Sequence, residues 1–175
     1  VAVTGWFFAA AHMRHALIGM DYDQHGAREA YRKAVSLRAS LSERDGAFLD
    51  AIEPYIQREP SDRALMVSRM NALAARYPGD AEVAFWQAWP IRKIGLDESN
   101  AARLLELSDR CLALDPKYAD CWQAKEVSLV VLGRRDEALA AIARCLEVSG
   151  GAIDCLRDLG DLQAVSGQCA AMEAT

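Results

Sequence analysis

His12 and His15 stand three residues apart, with Asp21 and Asp23 a little further along the chain. On one helix the two imidazoles share a face, and a neighbouring carboxylate would complete a ligand set for a divalent metal. A metal-dependent enzyme built on His12, His15 and Asp21 is therefore one reading of this segment. The spacing is also common by chance, and a surface or packing role is the plainer alternative. The other reactive residues are five cysteines. Cys111 and Cys121 flank Asp115-Pro116, and Cys145 and Cys155 flank Gly150-Gly151 in the same way. Residues equidistant from the turn of an antiparallel helix hairpin face each other, so each pair can meet the Cα separation that a disulfide needs. The competing reading is that each is a small buried hydrophobe. A Cys-x9-Cys spacing is not that of a structural zinc site. Cys169 is left over, with a partner that would lie beyond residue 175.

Other chemistry lacks a motif. No G-x-x-x-x-G-K-[ST] or G-x-G-x-x-G loop occurs, so neither a phosphate cradle nor a cofactor is expected. No Ser or Cys has a nucleophile motif around it. The acidic residues are spread along helical patterns, often four from an arginine, which is the arrangement of a solvated face. The net charge of -5 lacks the basic footprint that nucleic acid demands. The longest apolar run, VAVTGWFFAAA, has eleven residues and is followed at once by His12 and Arg14. It cannot span a bilayer, so direct membrane insertion is not expected, and it lacks the basic lead-in of a secretion signal. The chain starts without Met and stops inside a helical pattern, which reads as a fragment of a longer protein.

The elements that must position these residues are helices. Apolar residues recur three and four apart, and Ala, Leu, Arg and Glu dominate. Breakers at Pro60-Ser61-Asp62, Tyr77-Pro78-Gly79-Asp80, Asp97-Glu98-Ser99-Asn100, Asp115-Pro116, Gly133 and Gly150-Gly151 divide the chain. The helices expected between them cover 5–20, 24–40, 43–58, 62–76, 81–94, 100–114, 119–132, 135–148, 152–165 and 168–174. Ser42 and Asp80 are expected N-caps. Pro54 and Pro90 fall inside helical patterns and are expected to bend their helices or mark boundaries.

CLALDPKYADCWQAK (111 to 125) also recurs as CLEVSGGAIDCLRDL (145 to 159), with Cys111 repeated as Cys145, Leu112 as Leu146, Asp120 as Asp154 and Cys121 as Cys155. A fixed period of this size means stacked copies of one small unit. The best copy starts at Ala119 and carries Trp122, Gly133, then Ala138-x3-Ile142-x2-Cys145; the next has Leu156-x2-Leu159-Gly160 and Gly167. Earlier second helices read Ala27-x3-Tyr31-x2-Ala34-x2-Leu37, Met66-x3-Met70-x2-Leu73 before Pro78, and Leu104-x3-Ser108-x2-Cys111 before Pro116. This pattern resembles the tetratricopeptide repeat (TPR), whose paired helices carry W-x2-L-G-x2-Y and A-x3-F. One departure is plain: Lys125-Glu126 stands where the repeat has Leu-Gly.

The resemblance implies an all-α fold, a right-handed α-α superhelix of antiparallel helix pairs forming a single domain over 1–175. Its units would cover about 8–41, 42–80, 81–118, 119–152 and a truncated 153–175. In this family the first helix of each pair lines the concave side. Carried over, the lining slots hold His12 and Ala16, then Tyr55, then Phe85, Trp89 and Arg92, then Gln123, Val127 and Val130, then Arg157 and Asp161. Tyr55, Phe85 and Trp89 would form an aromatic wall beside Arg92, the residue types most often found as recognition hot spots. The alternative for Phe85 and Trp89 is a place in the core. The implied function is a protein–protein interaction scaffold without catalysis, an accessory domain binding a protein or peptide segment in its groove. A homodimer or a small-ligand sensory module is the alternative. Gln123 and Val127 occupy slots where a carboxylate clamp would need Lys or Asn. The composition and Leu41-Ser42-Glu43-Arg44-Asp45 resemble helical-repeat regions of bacterial multidomain signalling proteins, those associated with a Ser/Thr kinase or a regulator. If the cysteine pairs are bridged, the chain works in an extracytoplasmic, oxidising compartment; otherwise it is cytoplasmic.

Overall fold

Interruptions in the apolar periodicity divide the chain into helices, and the turn chemistry sets their ends. The computed structural model describes the backbone of residues 3–20 and 22–173, with the side chains of all of these but 3–7, 93, 94 and 169. Among the described residues there are ten α-helices and no strand: α1 Val3–Gly19, α2 Gln24–Ser36, α3 Glu43–Ile56, α4 Arg63–Arg76, α5 Ala81–Ile94, α6 Glu98–Leu114, α7 Ala119–Val131, α8 Arg135–Val148, α9 Ile153–Val165 and α10 Cys169–Glu173.

Five helices begin on a side-chain oxygen that accepts from a free amide of the first turn. Asp23 accepts from Gly26, Ser42 from Asp45, Asp62 from Leu65, Asp80 from Val83 and Asp97 from Asn100, at 2.8 to 3.0 Å. The Asp97 cap starts α6 at Glu98, ahead of the expected start at 100. At the other end of α2, the expected helix to residue 40 stops at Ser36 and tightens into a 3-10 turn over Arg38–Ser40. The Leu37 amide there donates to both Lys33 and Ala34 at 3.2 Å. The Ser36 and Ser40 hydroxyls donate to the carbonyls three residues back, which competes with regular helix.

Pro54 and Pro90 do not mark boundaries. α3 runs past Pro54 to Ile56, and α5 runs past Pro90 to Ile94. Both rings are fully buried, so apolar packing offsets the missing backbone donor.

The chain, read from sequence as one domain, packs as two compact units that part between Pro78 and Gly79. In the first unit α1 packs on α2, α3 on α4, and α2 on α3. Small residues permit the approach of α1 and α2: a Cβ on Gly19 would lie 3.4 Å from that of Ala27. Met13, Ala30, Phe48, Leu49, Ile52, Met66 and Met70 fill the interior. Tyr31 is buried with them, and burial pushes its hydroxyl up to about 12.

In the second unit the hairpins are α5–α6, α7–α8 and α9–α10, with α6 packed on α7 and α8 on α9. Val83, Ala88, Leu104, Leu107, Ala124, Leu129, Ala138 and Ile142 are buried there. Ser108 and Ser128, buried among them, return their hydroxyls to the carbonyls of Leu104 and Ala124 at 2.7 and 2.8 Å. The turns that close α7–α8 and α9–α10 are copies of one another. Gly133 and Gly167 both have φ of +70°, and the next amides, of Arg134 and Gln168, reach back to Leu129 and Gln163 at 2.8 and 2.9 Å. Only glycine takes that conformation without strain, which is why it returns at the same place in successive repeats.

Space is not what requires glycine at 133, since an added Cβ would meet nothing within 4 Å. Gly133→Ala is expected to cost about 1 kcal/mol through its backbone angle alone, whereas Gly151→Ala, at another open position but without a positive φ, is expected to be neutral or slightly stabilising. Urea unfolding of the two variants checks the contrast.

Candidate functional site

The first helices of the last three hairpins, α5, α7 and α9, carry a polar cluster in the second unit. Its centre is Glu126 on α7, only 3% exposed. Its register explains its position. Glu126 is the counterpart of Gly160 in the following repeat, so it occupies the slot that the repeat gives to a residue without a side chain. A carboxyl placed there is enclosed by the neighbouring helix.

Asp158 on α9 lies against Glu126 and is held from two sides. Gln123 Nε2, itself 4% exposed, donates to Asp158 Oδ2 at 2.7 Å, and Arg157 donates to Oδ1 at 2.9 and 3.1 Å. Arg157 also bonds Asp154 at 2.8 Å. Glu126 Oε2 has no hydrogen-bond partner among the described residues. Burial first, then the charge of Asp158 and its hydrogen bond to the protonated form, push Glu126 up to about 8, against the attraction of Arg92 and Arg157. Glu126 therefore carries a proton through much of the neutral range. Nearer the start of α7, Asp120 is exposed, with Arg92 and Asp154 as its charged neighbours.

Beside this cluster lies an open groove of about 260 Å³ between α7 and α9. Val127, Val130, Val131, Leu162 and Val165 give it an apolar floor, and Glu126, Asp158 and Asp161 its acidic edge. Val165 is 79% exposed, and Val130 is exposed as well. Apolar side chains kept in water beside carboxyls form a surface suited to an amphipathic partner segment.

Of the residues taken from the repeat pattern, the structure brings Arg92, Gln123, Val127, Val130, Arg157 and Asp161 to this one region. The aromatic wall is corrected. Phe85 and Trp89 are 7% and 6% exposed and belong to the core of the second unit. Phe85 packs its ring 5.2 Å from Trp86 and 5.5 Å from Tyr118, and Trp86 lies 5.8 Å from Trp89. Aromatic surface covered in this way stabilises the fold and is not free to anchor a ligand. Tyr55 belongs to the first unit, half-buried beside Ile56 and Ser61, with Arg63 over its ring at 5.8 Å. Sequence reasoning missed Glu126 and Asp158 as site residues. The available signal was the break in the repeat at Lys125-Glu126.

On α1 His12 is half-buried and His15 exposed, while Asp21 lies outside the described residues. Among the described residues no group of three or more metal-ligating side chains converges. The cysteines are brought together in pairs. Cys111 on α6 is bonded to Cys121 on α7, and Cys145 on α8 to Cys155 on α9, with Cα separations of 6.2 and 6.4 Å. Each bridge ties the second helix of one hairpin to the first helix of the next, so both walls of the groove are tethered. The side chain of Cys169 lies outside those described.

No family profile and no curated protein matches the chain. Solved structures do. A crystal structure of MamA protein aligns with 95% of this chain and 87% of its own at 14% identity and a TM-score of 0.59. A second MamA structure covers 87% and 84% at 17% identity with the same score. YrrB, described as a TPR protein with an unusual peptide-binding site, covers 86% and 73% at 15% identity and a TM-score of 0.55. At these identities the likeness is one of fold: the chain is built of TPR-like helical hairpins.

Two outcomes test the site. The folded chain holds a proton on Glu126 that the unfolded chain, titrating near 4.5, has lost, so wild-type stability falls as pH rises from about 4.5 to about 8. Glu126→Gln removes that loss; its melting temperature is expected to match wild type at pH 4 and to exceed it by several degrees at pH 9. Alkylation of the unreduced, unfolded protein, read by intact mass, is expected to modify no more than one of the five cysteines. Removing either bridge with paired serines should cost about 3 kcal/mol.

Proposed function

We propose that this chain is a protein-interaction scaffold and that the groove between α7 and α9 receives a segment of its partner. The observation that carries the reading is the combination of a valine and leucine floor open to water with an edge of carboxyls, at the register where the repeat pattern puts its lining residues. The fold supports it, as does the description of one structural neighbour as a TPR protein with a peptide-binding site. The scaffold is read as an accessory module of a larger protein. The resemblance of residues 41 to 45 to bacterial signalling proteins makes a signalling assembly the context to test first. Two bridges across consecutive hairpin junctions favour an oxidising compartment.

A photo-crosslinking residue at Val130, in the groove, is compared with one at Ala143, exposed on α8 and absent from the groove lining. Crosslinks from 130 to one partner peptide, and none from 143, are the expected result. Equal crosslinking from both positions would defeat the reading. Crosslinks from 130 to a second copy of this chain would replace it with self-association.

A further inference from the structure

Building on the groove reading above, we propose that the partner segment places a lysine or arginine against Glu126 and Asp161, with its neighbouring aliphatic side chain on Val127, Val130 and Leu162. Three observations carry this. The first is the unmatched atom. Glu126 Oε2 is buried at the edge of the groove without a hydrogen-bond partner among the described residues, which leave this acceptor unused at a cost in desolvation. A cationic side chain with several N–H donors supplies the missing bond.

The second is the balance of charge. Among the described residues, the charged groups that act on Glu126 are Arg92 on α5 and Arg157 and Asp158 on α9, with Gln123 of α7 bonded to Asp158 and Asp161 lining the same groove. With Glu126, that is three carboxyls to two guanidiniums, and Arg92 also acts on Asp120. Arg157 is already committed to Asp154 and Asp158. Asp161 is exposed, and it has no cationic partner among the described residues. A partner with acidic residues would meet repulsion here, and a purely apolar one would leave Glu126 as it is.

The third is the neighbourhood. The aliphatic floor begins at Val127, next in the chain to Glu126. A lysine or arginine stem can lie on such a floor while its head group reaches the carboxyls. Docking a cation on Glu126 also displaces its proton. Burial and Asp158 keep that proton on to about pH 8, so affinity must rise with pH below that value, by up to about tenfold per unit.

The test is selection of a phage-displayed random 12-residue peptide library on the whole chain, with counter-selection on Leu162→Asp and Val130→Asp variants to isolate clones that need the groove. The expected clones pair Lys or Arg with an adjacent aliphatic residue. Their synthetic peptides bind more tightly at pH 8 than at pH 6, lose about tenfold in affinity on Glu126→Gln, and lose the pH slope with it; Asp161→Asn, at an exposed site, weakens them by about threefold. Groove-dependent clones without basic residues, or an unchanged pH slope in Glu126→Gln, would overturn the inference while leaving the groove as a binding site. Absence of any groove-dependent clone would overturn the groove reading itself.

Discussion

A helix hairpin of this size cannot cover its own apolar face. α7 and α8 bury Leu129, Ala138 and Ala141 between them, yet Leu105 from α6 and Leu162 from α9 are needed to complete that cluster. Ala88 of α5 likewise shares its cluster with Leu104 and Leu107 of α6 and Ala124 of α7. Each hairpin of the second unit therefore depends on a neighbour, which is how repeat folds distribute their stability. The same dependence brings the first helices of successive hairpins side by side, and a groove between α7 and α9 follows without any residue being selected for it. The two disulfides act at the same junctions. They join helices that packing already holds together, and they limit how far one hairpin can separate from the next when the chain unfolds.

Against that background the polar cluster is costly. A glycine or alanine at 126 would satisfy the packing, as Gly160 does one repeat later. Glutamate there is desolvated, keeps an oxygen unpaired among the described residues and faces another carboxyl. Part of the cost is met locally, because Gln123 and Arg157 hold Asp158 and a proton neutralises Glu126. The remainder is a strained electrostatic arrangement beside an open apolar surface. Perturbed carboxyls of this kind concentrate where proteins bind or react. The ion pairs on helix surfaces, such as Arg103–Glu106 and Arg134–Glu137, carry no comparable cost and contribute little.

How much could be read in advance differed between local and non-local features. Ser42 and Asp80 were legible as caps, since a cap depends on an oxygen and an amide three residues away. Gly133 and Gly167 were legible as turns through residue type and shared spacing, and the structure gives both the same positive φ. The cysteine pairs were visible as equidistant neighbours of a turn, although their bonding needed the two helices in place. Phe85 and Trp89 were harder. A helical register says which face a residue occupies, and whether that face meets water depends on Trp86 and Tyr118 lying against it. Glu126 showed only as a break in the pattern. Its meaning came from Asp158 and Arg157 on α9 and Arg92 on α5, each about a whole repeat away along the chain.

The amino-acid sequence by itself determined the helices, the turns between them and the period at which they recur, because each rests on interactions within a few residues. Only the tertiary structure decided which of the lining positions face solvent, which carboxyl is trapped out of water and which cations can reach it. Burial and charge are properties of what surrounds a side chain, and here the surroundings of α7 come from helices on either side of it.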